Sequence, residues 1–224
     1  MKNHFVIVIF CLCSTVQAQS FSVNEDLAGK IRTFWEYISI NETRFFSYKD
    51  YNTSMQDEMN GQIRLINENL SLLLSNETNN NKRDLVITAG GNMEYFSLCD
   101  EIVKMSPKFT QLNPISLIPP SPSGKVNSYM IGNVLFSVDD IRVHFDGDTD
   151  ISLLFILSNN LISFLNSDKT GQLYPIYLQV LFMMSIEVLG EKAAATRIKS
   201  ADIAPLSTII IPSVPFKELG KYIH

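Results

Sequence analysis

Three parts of the sequence carry groups whose chemistry could serve a binding or catalytic site. His144 is the one histidine that lies away from both ends of the chain. Glu187 lies in an apolar run, where a carboxylate must find a partner or stay protonated. The turn Gly90-Gly91-Asn92 precedes a predicted helix whose backbone N–H groups could bind an anion. The candidate ligand-binding residues are therefore Gly90, Gly91, Asn92, His144 and Glu187.

His144 is open to two interpretations. It alternates with Arg142 on one face of a predicted strand, opposite Ile141 and Val143. A general base needs an orienting partner and a substrate proton within hydrogen-bond reach, and no G-x-S-x-G nucleophile elbow accompanies this histidine. A half-exposed histidine without a catalytic role is the favoured interpretation, and the sequence identifies no catalytic residue.

The remaining clusters also favour structural roles. Glu187 and Glu191 lie one helical turn apart, but pairing of Glu187 with Lys192, Arg197 or a backbone amide is favoured over acid–base work. The glycine turn lacks a G-x-G-x-x-G or P-loop pattern, and Glu94 beside it would repel a phosphate. Residues 146–157 have the first three acidic spacings of a calcium loop but neither its glycine nor its final glutamate. No metal site and no cofactor is expected.

The N-terminus has the pattern of a secretory signal peptide over residues 1–18. Lys2 precedes the apolar run Phe5 to Val16, and Val16-Gln17-Ala18 supplies the small residues read by a signal peptidase. The run is too short to span a bilayer, so no stable membrane insertion is expected after cleavage. The sequence predicts export, to the periplasm or out of the cell.

The exported chain would be mildly acidic and would keep one cysteine. Loss of Lys2 leaves 17 basic against 23 acidic residues, a net charge of −6, which argues against nucleic acid as a partner. Cys11 and Cys13 leave with the signal peptide, so no internal disulfide can form. Cys99 lies on the apolar face of a predicted helix and is expected to be buried.

The elements that must position these groups form a predicted α+β fold in one domain over residues 19–224. Two N-terminal helices are expected, at residues 23–46 and from Ser54 to Leu73, followed by a solvated connection over 76–83. A strand at 85–87, a helix from Met93 to Met105 and a strand at 115–118 make a βαβ unit in a mixed sheet.

The second half of the chain predicts an antiparallel meander and a buried helix. Strands are expected at 131–138, 141–145 and 151–157, joined by aspartate-containing turns. Residues 159–170 are predicted to be irregular and 193–199 to be a strand. The run from Pro175 to Leu189 has almost no polar face, which is typical of a buried apolar helix. Pro175 suits its first turn and Gly190 its C-terminal cap.

The chain resembles a family of uncharacterised bacterial proteins of similar size. The resemblance is carried by the segment Asp84 to Asn92, which reads DLVITAGGN, by Leu189-Gly190-Glu191 followed by Thr196-Arg197-Ile198, and by Pro215 to Leu219. It covers nearly all of the chain after the signal peptide. It implies a bacterial origin but no activity, cofactor or partner.

Two functional hypotheses follow. The first is an exported, non-enzymatic domain that binds an envelope partner or a small ligand. The second is a hydrolase-like enzyme that uses His144 and an acidic residue. The absence of a nucleophile motif, metal-ligand cluster or cofactor loop in the sequence favours the first.

Overall fold

The computed structural model describes residues 24–47, 53–79, 81–121, 126, 128–208 and 211–223. Helices and strands are both abundant, which confirms the α+β class. The described chain forms two compact units, one ending at Ile118 and the other beginning at Pro119. The single domain over 19–224 stays a prediction, since two compact units can still fold together. The predicted signal peptide lies outside the described residues.

The described part of the first unit begins with three helices rather than two: α1 (Glu25–Ile40), α2 (Glu42–Ser47) and α3 (Thr53–Arg64). Asn24 caps α1 by accepting the Leu27 N–H at 2.8 Å. The predicted single helix over 23–46 is wrong, because the chain breaks at Asn41. The Asn41 amide donates to the Tyr37 carbonyl at 2.9 Å and so competes with the helical backbone bonds.

A three-stranded sheet follows, with β1 (Ser71–Asn79), β2 (Lys82–Thr88) and β3 (Leu112–Ser116) in the order β1-β2-β3. The pair β1–β2 is antiparallel, whereas β2–β3 is parallel, with α4 (Phe96–Lys104) between them in the chain. The predicted helix as far as Leu73 is wrong. From Leu70 onward burial alternates, with Leu70 and Leu72 buried and Leu73 exposed, which is the period of a strand.

Two side chains of α3 cover the outer edge of β1. The Leu72 N–H donates to Asn60 Oδ1 at 2.7 Å, and the Leu72 carbonyl accepts a hydrogen bond from Gln56 Nε2. An edge strand otherwise presents such groups unpaired. At Leu72 the helix therefore supplies the bonds that a neighbouring strand would make.

The core of the first unit lies between α1, α4 and the sheet. Ile31, Trp35 and Ile38 of α1 are buried, and Trp35 Nε1 donates to the Ile102 carbonyl at 2.8 Å. Cys99 on α4 has no exposed surface, which confirms that it is buried.

The second unit begins with a small hairpin, β4 (Tyr129–Ile131) and β5 (Val134–Phe136). The predicted single strand over 131–138 is therefore wrong, and so is the three-stranded meander. Gly132 has a φ of 58°, a left-handed conformation that glycine adopts freely, and it turns the chain inside the predicted strand. The strands therefore form three separate sheets within the described residues rather than one mixed sheet.

A four-stranded sheet forms the centre of this unit. Its strands are β6 (Ile141–Asp146), β7 (Ile151–Leu157), β8 (Ile198–Pro205) and β9 (Val214–Pro215), in the order β8-β7-β6-β9. The strand β7 is antiparallel to β6 and parallel to β8. Between β7 and β8 the chain forms α5 (Asn159–Ser167), α6 (Leu173–Leu189) and α7 (Glu191–Arg197). Two predictions are wrong here, since 159–170 contains a helix and 193–197 is helical.

The apolar helix near the C-terminus is confirmed as α6. Its side chains at Tyr177, Leu181 and Met184 have no exposed surface, whereas Phe182 is only half-buried. Gly190 follows with a φ of 82° and ends the helix, as its position predicts. In the described part of the chain, no helix combines the length and the apolar character needed to cross a membrane.

Candidate functional site

The register of the four-stranded sheet aligns polar side chains on one face. Asp146, Ser152 and Ser200 are paired across β6, β7 and β8, and His144, Leu154 and Asp202 form the next row. Because successive side chains point to opposite faces of a strand, all six share a face, which we call the outer face. The alternate residues Val143 and Phe155 are buried on the other, inner face.

A cleft of about 400 Å³ lies over these two rows and is called the outer cleft. Ile211 lines it, and the neighbouring Pro212 bonds to His144 of β6. Tyr174 of α6 also lines it and bonds to Asp202 of β8. Its lining therefore mixes hydroxyl, imidazole and carboxylate groups with apolar contacts from Leu154 and Ile211, as ligand sites commonly do.

His144 has both ring nitrogens occupied. Nδ1 lies 2.8 Å from the Pro212 carbonyl oxygen, and Nε2 lies 3.2 Å from Asp146 Oδ2. A carbonyl oxygen only accepts hydrogen bonds, so Nδ1 carries a proton in this arrangement. The remaining nitrogen faces a carboxylate, to which it donates when the ring is charged. The imidazole is therefore a positioned polar group of the cleft, with no nitrogen turned toward a nucleophile.

The two serines of the outer cleft bond to each other. Ser200 Oγ donates to Ser152 Oγ at 2.8 Å. A serine nucleophile needs a base as the acceptor of its proton, and here the hydroxyl of Ser200 has another hydroxyl as its acceptor. The pair presents oxygen atoms that can both donate and accept toward a ligand.

Tyr174 bonds to Asp202 of β8. The Tyr174 hydroxyl donates to Asp202 Oδ1 at 2.5 Å, and the Ile203 N–H donates to the same oxygen at 2.7 Å. Burial and the bond to the Asp202 carboxylate raise the pKa of Tyr174 above its usual value, so the hydroxyl keeps its proton. This pair closes one side of the outer cleft.

Arg142 and His144 hold the chain segment 211–213 beside β6. Arg142 Nε donates to Ser213 Oγ at 2.9 Å, and the guanidinium also donates to the Ser213 carbonyl. His144 bonds to the preceding carbonyl, that of Pro212. The prediction that Arg142 and His144 share a face is confirmed, and their contacts explain why this segment lines the outer cleft.

Glu187 lies elsewhere in the second unit and is not among the described residues that line the outer cleft. The Tyr129 hydroxyl donates to Glu187 Oε1 at 2.5 Å, and the Ser121 N–H donates to the Glu187 carbonyl at 2.8 Å. Sequence reasoning did not find Tyr129 as a partner. The carboxylate has a donor beside it, as a half-buried carboxylate requires.

The glycine turn belongs to the first unit. Gly90 and Gly91 have φ values of 61° and 87°, which explains why glycine occupies both positions. Thr88 Oγ1 accepts the Gly90 N–H at 3.0 Å, and Asn92 Oδ1 accepts the Glu94 N–H at 3.1 Å. These N–H groups are bonded within the turn rather than directed to a ligand.

No group of three or more histidine, cysteine or acidic side chains is arranged to hold a metal ion within the ranges that the structure describes. Four polar residues of the outer cleft were missed by sequence reasoning: Ser200, Asp202, Tyr174 and Ser152. The first two lie on a strand whose position and register the sequence does not predict, and Tyr174 was assigned only to the apolar run.

Comparison with known proteins gives no relative: no protein-family model, no curated protein and no solved structure matches this chain.

Proposed function

We propose that this protein is an exported bacterial binding domain of the cell envelope, without enzymatic activity, and that the outer cleft is its binding site. The observation that carries the proposal is the pair of polar rows, in which His144, Ser152, Ser200 and Asp202 meet on one sheet face beneath a cleft of about 400 Å³. The alignment comes from the strand register, so a rigid element holds these groups in place.

The bonds within the cleft favour binding over catalysis. Acceptors face both nitrogens of His144, and Ser200 donates to Ser152. The cleft thus offers a fixed set of hydrogen-bonding groups and an acidic character from Asp146 and Asp202. Such a surface suits a ligand that has donors or positive charge together with some apolar surface.

Export is supported by the N-terminal pattern, with cleavage after Ala18. Mass spectrometry of the protein recovered outside the cytoplasm is expected to give an N-terminus at Gln19. An intact Met1 would contradict export by this route.

Binding is tested by the amide chemical shifts of the purified chain with simple probes. We use N-acetyl-lysine methylamide, N-acetyl-glutamate methylamide and glucose at millimolar concentrations, and we expect at least the lysine probe to shift the resonances of Ser152, Ser200 and Asp202. Ser200→Leu fills the cleft and is expected to abolish these shifts. Ser163→Leu, at an exposed position of α5, is the matched control. Shifts that are absent for all three probes, or unchanged in Ser200→Leu, would contradict the proposal.

A hydrolase-like enzyme is the second candidate because Asp146 Oδ2, 3.2 Å from His144 Nε2, is placed to orient the imidazole as a base, provided that Nδ1 leaves the Pro212 carbonyl. Turnover of 4-nitrophenyl acetate that is lost in His144→Ala but kept in Arg142→Ala would support this candidate against the binding domain.

A further inference from the structure

We propose that the ligand of the outer cleft is an extended peptide with alternating basic and apolar side chains, which adds as a fifth strand to the edge of β8 that pairs with no other described strand. The inference rests on the proposed function and specifies its ligand. Three features carry it: the direction of the β8 backbone groups, a second cleft on the opposite face, and the charge of the outer cleft.

Some backbone N–H and C=O groups of β8 point away from its neighbour β7. The strand β8 stands at one end of the strand order and pairs only with β7 among the described strands. The Ile203 N–H donates to the side chain of Asp202, so it points outward rather than to β7. In a strand, alternate residues direct their N–H and C=O to the same side, so those of Ala201 also face outward. An edge of this kind pairs readily with a peptide strand.

A second cleft, which we call the inner cleft, lies on the other side of β8. It encloses about 390 Å³ and is lined by Ile162 and Leu165 of α5 together with Ile203 and Pro205 of β8. Ile203 is paired with Phe155 and so belongs to the inner face, whereas Asp202 is paired with Leu154 on the outer face. Tyr174 lines both clefts. The two clefts therefore flank the β8 edge from opposite faces.

This arrangement matches the geometry of an added strand. Successive side chains of a strand point to opposite faces, so a peptide paired with β8 directs one side chain into the outer cleft and the next into the inner cleft. In this mode of recognition the main-chain bonds supply affinity, and pockets for alternate side chains supply specificity. A compact small molecule would occupy the outer cleft alone.

The chemistry of the two clefts differs. The outer cleft has the carboxylates of Asp146 and Asp202. The nearby cations have other partners: Lys199 Nζ lies 3.8 Å from Asp150 Oδ1, and Arg142 donates to Ser213. The inner cleft is lined by the apolar side chains of Ile162, Leu165, Ile203 and Pro205. Its carboxylate, that of Asp168, accepts bonds from the N–H groups of Thr170 and Leu173. A basic side chain fits the outer cleft, and an apolar one fits the inner cleft.

The side chain of Tyr174 lies at the edge of β8 where the peptide would bind. Its hydroxyl and the Ile203 N–H share one oxygen of Asp202. An arriving peptide exchanges both bonds, since its carbonyl takes the Ile203 N–H and its ammonium or guanidinium replaces the hydroxyl at Asp202. Both the old and the new donor bond to a carboxylate, but the new donor also carries a positive charge, so an ion pair replaces a bond from a neutral hydroxyl. A second copy of the chain would instead bring two acidic clefts together, so charge favours a basic peptide.

The test uses three six-residue peptides and isothermal titration calorimetry on the full chain. The first alternates lysine and valine, the second alternates glutamate and valine, and the third is the first with alternate backbone nitrogens methylated. We expect binding of the first alone, with at least a tenfold loss on methylation. Asp202→Asn should weaken binding several-fold, and Tyr174→Phe should strengthen it about twofold to fivefold.

Ala201→Pro removes an outward N–H without removing a bond to β7, and proline is tolerated at such edge positions. It should reduce binding of the lysine–valine peptide more than tenfold, as backbone methylation of the peptide does with the wild-type chain. If this variant does not fold, the methylated peptide on the wild-type chain decides. Equal binding of the methylated or the glutamate peptide would overturn the inference.

The outcomes separate the two proposals. If N-acetyl-lysine methylamide binds at the outer cleft and the lysine–valine peptide binds no more tightly, strand addition is overturned. The proposal of a binding domain is then still supported. No response to any probe or peptide contradicts both. A concentration-dependent dimer that Ala201→Pro abolishes would assign the β8 edge to a second copy and overturn the peptide.

Discussion

The two faces of the four-stranded sheet differ although the same strands build both of them. On the inner face Val143 and Phe155 are buried, and Phe155 packs edge-on against Phe216 with ring centroids 5.7 Å apart. On the outer face their neighbours His144 and Leu154 are half-buried and line the outer cleft. One residue step along a strand thus changes the role of a side chain from core packing to recognition.

The largest expected effect is on the inner face. Phe155→Ala should lower the free energy of unfolding by about 3–5 kcal/mol, because it removes a fully buried ring and leaves a cavity. The matched variant is Leu154→Ala on the outer face, for which we expect the free energy of unfolding to fall by roughly 1 kcal/mol. Urea unfolding followed by circular dichroism measures both. Equal losses of unfolding free energy in the two variants would show that the outer face contributes as much to stability as the inner face does.

The helix α6 offers the same contrast within one helix. Leu181 has no exposed surface, so Leu181→Ala should cost about 2–5 kcal/mol of unfolding free energy. Ile176 is 41% exposed, and Ile176→Ala should stay within about 0.5 kcal/mol. The measurement is again the urea midpoint. An unchanged midpoint in Leu181→Ala would mean that α6 contributes little to the core.

High pH should destabilise the fold through the ionisation of a buried tyrosine in α6. Burial raises the pKa of Tyr177 to about 12, whereas a tyrosine in the unfolded chain titrates near its usual value of 10.0. Its stabilising contribution is therefore complete below about pH 10 and is lost as the pH rises toward 12, with a loss on the order of 2 kcal/mol.

The control for this pH dependence is Tyr177→Phe, which cannot ionise. Thermal unfolding of the two chains between pH 8 and pH 12 should diverge above pH 10, with the smaller decline in the variant. Parallel declines would show that Tyr177 does not cause the loss of stability above pH 10. Other tyrosines would then account for it, such as Tyr37, whose pKa is raised to about 12 by burial and by the bond to Glu58.

The smallest effect on stability is expected at the outer cleft. His144→Ala removes bonds to Pro212 and Asp146 at a partly exposed position and should cost at most about 1 kcal/mol. It should weaken the response to N-acetyl-lysine methylamide without unfolding the chain, and we expect no catalysis that depends on His144. A folded His144→Ala protein that loses a hydrolytic activity present in the wild type would contradict the binding domain and favour the enzyme.

The sequence predicts those helices and strands whose burial follows a pattern among residues close together in the chain. The alternation over 141–145 and 151–157 became β6 and β7, because burial there follows a period of two. The run from Pro175 to Leu189 became α6, because it is apolar nearly throughout. Cys99 was correctly expected to be buried because it lies on the apolar face of a predicted helix. The break at Asn41 and the start of β1 were missed, since a side chain that bonds to its own backbone and a change of period at Leu70 are weak signals in a single sequence.

The outer cleft could be predicted only in part. His144 was identified as a candidate because it is the one internal histidine, and its place on a polar strand face was correct. Ser200 and Asp202 could not be found, because their position opposite Ser152 and Leu154 depends on a parallel pairing across three intervening helices. Contacts between residues so far apart in the chain come from tertiary packing, which a local pattern does not encode.

The covered edge of β1 has a practical consequence for any shortened version of the chain. Gln56 and Asn60 reach Leu72 from a helix that ends at Arg64, so a fragment that starts after α3 keeps the strand and loses its cover. The exposed edge would then be free to recruit further chains, and such a fragment is expected to aggregate. Expression boundaries and circular permutations should therefore keep α3 on the same polypeptide as the sheet that it protects.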